Sequence, residues 1–265
     1  MMKKGNRILL GITAAIAALG IGIIVGGTLV AGPTHSEVEE PNKTTVVVPD
    51  IPAKALASQR ILLVATPAAN RDVVNSVQKN ISRAAGVVSG VITLTPKFSD
   101  PSSDLELGTL ITETLPAGIK LPTDRDQNSG RLAGVVVSGL VEKPSNPAGD
   151  TVRSEFLDRM VRAGFFAKDS YFGAADAAII ITGSDSRGKV PQSELGRRGR
   201  TIAKLGKGLA ESKTPTVIAG PGKCLSYPSP ETSARDQKVR KLVAVEFVDN
   251  EAGQAQVVLT LSKVL

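Results

Sequence analysis

Apolar residues fall into three patterns along the chain. Residues 8–30 (ILLGITAAIAALGIGIIVGGTLV) carry no charge, and only Thr13 and Thr28 are polar. Residues 31–58 have little periodicity. From residue 59 onward, short apolar runs alternate with stretches in which apolar residues recur every three to four positions. The first pattern predicts a membrane span. At about 1.5 Å per residue the run reaches roughly 35 Å, enough for a hydrocarbon core about 30 Å thick. Lys3, Lys4 and Arg7 precede it, and no Lys or Arg follows until Lys43. That asymmetry predicts residues 1–7 in the cytoplasm and everything after residue 30 outside, on a single pass. A cleaved signal peptide is the alternative. Its apolar part is usually about 7–15 residues and ends in a small-x-small site, which Thr28-Leu-Val-Ala31-Gly supplies poorly, so an uncleaved anchor is preferred. Gly22 and Gly26 have the GxxxG spacing that lets two such helices approach, which admits a homo-oligomer.

Residues 31–58 read as a linker, with Pro33, Pro41, Pro49 and Pro52 and a small acidic cluster. Residues 59–265 read as one extracytoplasmic α/β domain. Residues 61–66 form a continuous apolar run, as a strand buried on both faces does. Asn70 is placed to cap the next helix, which turns Val73, Val74, Val77 and Ile81 inward and is stopped by Gly86. Residues 87–94 are a second strand, completing a parallel crossover unit. Further strands are expected at 177–182, 216–219 and 242–248. Helices are expected at 104–115, 151–163, 193–212 and 233–241, and a last helix opens at Asn250 with Gln254 after it. Residues 131–142 are Val-rich but contain Gly134 and Gly139, and fit neither period cleanly. The expected fold is α/β: a mostly parallel sheet of about five strands flanked by helices, preceded by one transmembrane helix.

Composition adds three constraints. The 207 residues from Gln59 suffice for one well-buried domain. Trp is absent and aromatics are few, so Val, Ile, Leu and Ala must build the core. The single cysteine, Cys224, rules out an internal disulfide. Of the net charge of +7, three positive charges precede the apolar run and the linker is negative by two, which leaves +6 on the domain. A basic body outside a membrane favours anionic surfaces, or simply stays soluble.

Candidate chemistry is sparse. Ligands of such sheets sit beyond the carboxyl ends of the strands. Two loops fall there: one with Gly183, Ser184 and Asp185, the other with Gly220, Gly222 and Lys223. Their backbone N–H groups and small side chains can cradle an anion, and turns after strands have this composition for ordinary reasons too. Neither loop fits GxGxxG or a Walker loop, where Cys224 stands in place of Ser or Thr. Arg197, Arg198, Arg200, Lys204 and Lys207 lie on one predicted helix, either as an anionic-surface patch or as a solvated face. The lack of interleaved aromatics and the predicted address argue against nucleic acid. The only histidine, His35, is in the linker, and no GxSxG is present, so nucleophile-and-base hydrolysis has no visible machinery. Soft copper ligands are few: Met1 and Met2 at the N-terminus, His35, Met160 in a helix, and Cys224. No catalytic residue and no cofactor is evident from the residues themselves.

Several segments carry a resemblance. Residues 60–98 (RILLVATPAANRDVVNSVQKNISRAAGVVSGVITLTPKF), 111–122 (ITETLPAGIKLP), 175–183 (ADAAIIITG), 214–222 (TPTVIAGPG) and 245–261 (VEFVDNEAGQAQVVLTL) are similar to the actinobacterial MctB-type copper transporter family, which includes corynebacterial envelope proteins of the SteB type. The resemblance implies a role in copper transport, as efflux, or in copper homeostasis, and no enzymatic activity is expected. For some members it implies control of cell-wall and division machinery through an envelope protein partner. In one respect the chain departs from the family pattern. Members carry a long coiled coil between anchor and domain, and the Pro-rich segment 32–58 cannot form one. Transport raises a further constraint. A pore needs several spanning helices or a closed barrel, and one predicted helix would conduct copper only as an oligomer or with partners.

Overall fold

Five of the apolar runs form parallel strands, and the three at the centre of the sheet are buried on both faces. In the computed structural model, which describes residues 47–144, 146–183, 191–222, 230–236 and 239–265, these strands and their neighbours form one compact unit, Thr45–Leu265. β1 (Arg60–Ala65) leads through α1 (Arg71–Arg83) to β2 (Val87–Thr93). Four helices follow: α2 (Pro96–Ser99), α3 (Asp104–Glu113), α4 (Ser129–Val141) and α5 (Pro147–Arg162). β3 (Tyr171–Phe172) and β4 (Ala177–Ile181) come next, then α6 (Gln192–Glu211), β5 (Thr216–Ala219), α7 (Pro230–Asp236), β6 (Leu242–Val245) and α8 (Glu251–Val264). The strand order is β3-β2-β1-β4-β5-β6.

The expectation of about five strands needs correction. Among the described residues the sheet has six and is mixed, because β3 pairs antiparallel with β2 through Gly90 and Val91. A two-residue strand is too short to show a period of two, so the sequence gives no sign of it. It blunts the edge that β2 would otherwise leave open.

Side chains from alternate strand positions build two cores. Ile61, Leu63, Ile179 and Val217 face α1 and α8, where Val77, Ile81, Val258 and Leu261 meet them. Leu62, Val64, Ile180 and Ile218 face the other helix layer, against Val136, Leu140, Phe156, Met160, Leu205 and Leu209. Asn70 caps α1 by accepting a hydrogen bond from the Asp72 backbone N–H at 2.9 Å. Val73, Val77 and Ile81 are buried as the spacing predicts, and Val74 is half-buried. Asn250 likewise caps α8, accepting from the Gly253 N–H at 2.8 Å. Ile51 and Leu56 are buried in the α1–α8 core, and Leu56 N–H donates to the Ala84 carbonyl at 2.9 Å. The folded unit therefore takes in residues 51–58, which the proline content alone assigns to a linker.

Residues 131–142 resolve as the greater part of α4. All thirteen residues of the helix but Gly139 are buried. A helix covered on every side shows no amphipathic period, and that is why the stretch is ambiguous in sequence. Gly130 and Gly134 serve contact with α6, and Gly139 makes room for Ile119. A Cβ on Gly134 would overlap the Leu205 carbonyl oxygen, one on Gly208 the Arg131 carbonyl oxygen, and one on Gly130 that of Thr201. The two helices thus meet backbone to backbone. The carboxyl end of α4 is closed by Arg153, which is 2% exposed. Its guanidinium donates to the carbonyls of Leu140 and Lys143, both at 3.1 Å, and of Pro144 at 3.2 Å, and it pairs with Asp150. A cation here satisfies the last carbonyls of the helix and opposes its dipole.

Residues 8–30 lie outside the described residues. Among the described residues no helix is long and apolar enough to cross a membrane.

The α4–α6 contact gives a paired stability prediction. Gly134→Ala places a methyl against backbone that cannot rotate away, and should cost roughly 2–3 kcal/mol. Gly108→Ala, in α3 where nothing lies within 4 Å of the added carbon, should instead stabilise by about 0.5–1 kcal/mol. Urea unfolding midpoints of the two variants against the parent chain check both signs.

Candidate functional site

The carboxyl ends of the parallel strands form one rim. β1 runs into α1 on one face of the sheet and β4 runs into α6 on the other, so the strand order reverses between β1 and β4, where open α/β sheets place ligands. In this chain the described part of that crevice is filled. A Cβ on Gly183 would overlap the carbonyl oxygen of Ala68, so the loops after β1 and β4 touch through their backbones. Neighbouring loops are stitched in series. Thr66 N–H donates to Ile181 O at 3.0 Å, Thr182 N–H to Ala219 O at 2.8 Å, and Gly220 N–H to Val245 O at 3.0 Å. Val248 N–H returns to Gly220 O at 3.2 Å. Gly222 lies beneath the ring of Phe247, where a Cβ would overlap ring carbons. Phe247 itself is half-exposed and sits at φ +62°, a conformation costly for a bulky residue. Gly183 and Gly222 are thus required by close packing, and the Gly220 N–H is already bonded. Ser184, Asp185 and Lys223 lie outside the described residues, as does Cys224.

The cations of α6 divide into two groups. Arg197 and Arg200 are exposed, and Arg198 pairs with Glu194 one turn back at 2.6 Å. Lys204 and Lys207 turn instead toward the loop before α4, and both donate to Asp126 Oδ2, at 2.6 and 2.7 Å. Arg131, at the start of α4 and 5% exposed, completes the cluster. It grips Asp124 with two bonds of 2.5 and 2.9 Å, donates to the Asp126 carbonyl at 2.9 Å, and donates through Nε to Glu211 at 2.9 Å. Three cations therefore meet three carboxylates.

The hydrogen bonds from Arg131 hold the Asp124 carboxyl at about 2, and the Asp124 bond in turn raises the Arg131 guanidinium. Burial pushes Asp126 up, but the bonds from Lys204 and Lys207 override it and leave Asp126 below its ordinary value. These shifts run away from neutrality, so the cluster is not poised for proton transfer at physiological pH. Sequence reasoning found Lys204 and Lys207 but missed Arg131, Asp124, Asp126 and Glu211. The available signal was an arginine heading an otherwise apolar helix directly after two aspartates in a polar loop.

Metal-ligating groups are scarce. Among the described residues no three His, Cys, Asp or Glu side chains are grouped to hold an ion. Met160 is fully buried in the core, and Met1, Met2, His35 and Cys224 lie outside the described residues.

Comparison with known proteins gives the family. The model of the family described as "Copper transport outer membrane protein, MctB" matches residues 40–265, the whole of the folded unit. The chain belongs to the MctB family. Copper transporter MctB of Mycobacterium leprae (strain TN) is 31% identical over 222 residues, which cover 79% of this chain and 63% of that relative. The chain therefore matches less than two thirds of the length of its MctB relative. The resemblance carried by the segments at 60–98, 111–122, 175–183, 214–222 and 245–261 is to the right family. The MctB description names transport rather than an enzymatic reaction, and an outer membrane address places the family in the cell envelope.

The cluster predicts an acid limit. Asp124 and Asp126 have folded-state values below the 3.8 of an ordinary aspartate. Their contribution to stability is complete above about pH 4 and disappears as pH falls through the folded values, near 2 for Asp124. Arg131→Met strips Asp124 of its cation and Glu211 of one bond, while Asp126 keeps Lys204 and Lys207. It should lower the denaturant unfolding midpoint at pH 7 and lower it much less at pH 2, where Asp124 is at its folded-state value and is protonated in the unfolded chain.

Proposed function

We propose that this chain is a membrane-anchored cell-envelope protein with a role in copper transport or homeostasis. The observation that carries the reading is the family match across residues 40–265. In this reading residues 8–30 are a single-pass anchor, residues 1–7 are cytoplasmic and the α/β body is extracytoplasmic. The uncharged run and the basic flank before it support that arrangement. The body is not an enzyme. It acts on copper indirectly or together with partners, because a single span forms no pore.

A second reading is an extracytoplasmic interaction module that regulates cell-wall or division machinery without moving metal. What favours it is the ligand inventory: the described residues group no candidate metal ligands, and their one methionine is sealed in the core. An envelope protein partner or a second copy of the chain is expected under either reading.

Total cell copper in a deletion strain grown under copper load separates them. The first reading expects raised copper that returns to normal on complementation. Unchanged copper together with a cell-separation defect would establish the second instead. A reporter fused after Leu265 should be active only outside the cytoplasm, and cytoplasmic activity would refute the anchor and its orientation.

A further inference from the structure

The loop between α3 and α4 has an unusual balance of attachments. From residue 112 to residue 128 no position is fully buried. Among the described residues, no backbone–backbone hydrogen bond ties residues 120–127 to another element. Partly buried Ile119 and Leu121 give some apolar hold. The loop also holds its own shape, since the Gln127 side chain donates to the carbonyls of Pro122 at 2.9 Å and Asp124 at 2.5 Å. What fixes it to the body is charge: Asp124 in the fork of Arg131, and Asp126 between Lys204 and Lys207.

The geometry at Asp126 is specific. A single carboxylate oxygen, Oδ2, lies 2.6 Å from Lys204 Nζ, 2.7 Å from Lys207 Nζ and 3.8 Å from Arg131 Nη1. Three cations from two helices converge on one oxygen. Those helices are locked by the backbone contacts of Gly134 and Gly208, so the backbones that carry the three cations do not depend on the loop. Two of the three carboxylates in the cluster belong to the loop, and only Glu211 belongs to α6. With the loop displaced, Arg131, Lys204 and Lys207 face one carboxylate, a net charge of two positive beside a buried helix. An arginine fork and two ammonium groups suit a doubly charged oxyanion.

We propose that residues 120–127 are an acidic strap occupying an oxyanion site formed by Arg131, Lys204 and Lys207, and that phosphate-class oxyanions compete with the strap for it. The strap acts as a built-in ligand. The Asp124 side chain is 56% exposed, so salt screens the latch. An oxyanion that fits the three cations displaces the strap beyond what screening alone achieves. The inference is independent of the copper assignment and holds under either functional reading.

Amide hydrogen exchange on the full chain tests this without substitution. At matched ionic strength, the amides of residues 120–127 should exchange at least about threefold faster in inorganic phosphate than in chloride, while the amides of α4 stay unchanged. Equal exchange in the two salts overturns the proposal. Replacing both strap carboxylates (Asp124→Asn with Asp126→Asn) should then tighten phosphate binding by about tenfold or more, and adding Lys204→Ala and Lys207→Ala should abolish that gain. A double variant that folds but binds phosphate no better than the parent also overturns it. Glycerol 3-phosphate, run beside inorganic phosphate, identifies the source. Tighter binding of the monoester assigns the site to a lipid headgroup, and tighter binding of the free ion assigns it to soluble phosphate.

Discussion

Contact between the backbones of α4 and α6 is the constraint on which the rest of this body depends. Gly130 and Gly134 on one helix and Gly208 on the other remove the side chains that would hold the axes apart. Close approach has two consequences. It seals α4 under α6, so that Val136, Leu140, Leu205 and Leu209 complete the core on one face of the sheet. It also brings Arg131 on α4 level with Lys204, Lys207 and Glu211 on α6, which places three cations within reach of one short loop. A wider helix pair would leave those charges to solvent, where each pair contributes little. The same helix ends at its far side on Arg153, whose guanidinium replaces the water that a buried carboxyl terminus cannot reach.

The sequence reveals most where burial imposes a simple rule. β1, β4 and β5 are readable because a strand covered on both faces has no choice but to be apolar throughout, and β5 falls on the expected residues, Thr216–Ala219. Asn70 and Asn250 are readable as caps because only a short polar side chain can accept from the first turn of a helix. α4 defeats the same method for a physical reason. Its period is erased by burial on all sides, and its glycines look like helix breakers until the partner that needs them is known. β3 is invisible because two residues carry no pattern. Of the basic helix, the sequence shows that Lys204 and Lys207 share a face but not what they face. Asp124 and Asp126 are far from them in sequence, and a polar loop rich in Asp reads as solvated surface unless its partners are in view.

The rim of the sheet shows how an anion cradle and an ordinary turn converge on the same residues. Glycine at the carboxyl end of a strand serves a ligand by letting it approach the backbone. It serves the fold by letting another loop approach in the same way. At Gly183 the approaching group is the Ala68 carbonyl, and at Gly222 it is the ring of Phe247. The strain held at Phe247 belongs to this packing, since its own carbonyl is pressed against Gly253 at the start of α8. Composition alone cannot distinguish the two uses.

The copper role proposed from family membership falls on a chain that is poor in copper ligands. Thiolate, thioether and imidazole donors suit that ion, and the sequence has one Cys, three Met and one His. Met160 is enclosed between α5 and the sheet, with no exposed surface. If the apolar run spans the membrane as proposed, Met1 and Met2 are on the cytoplasmic side, away from the body. That leaves His35 and Cys224, two donors per chain on the outer side. Two donors do not close a high-affinity site. Under the transport reading proposed above, the body would therefore act on metal together with a partner rather than hold it alone.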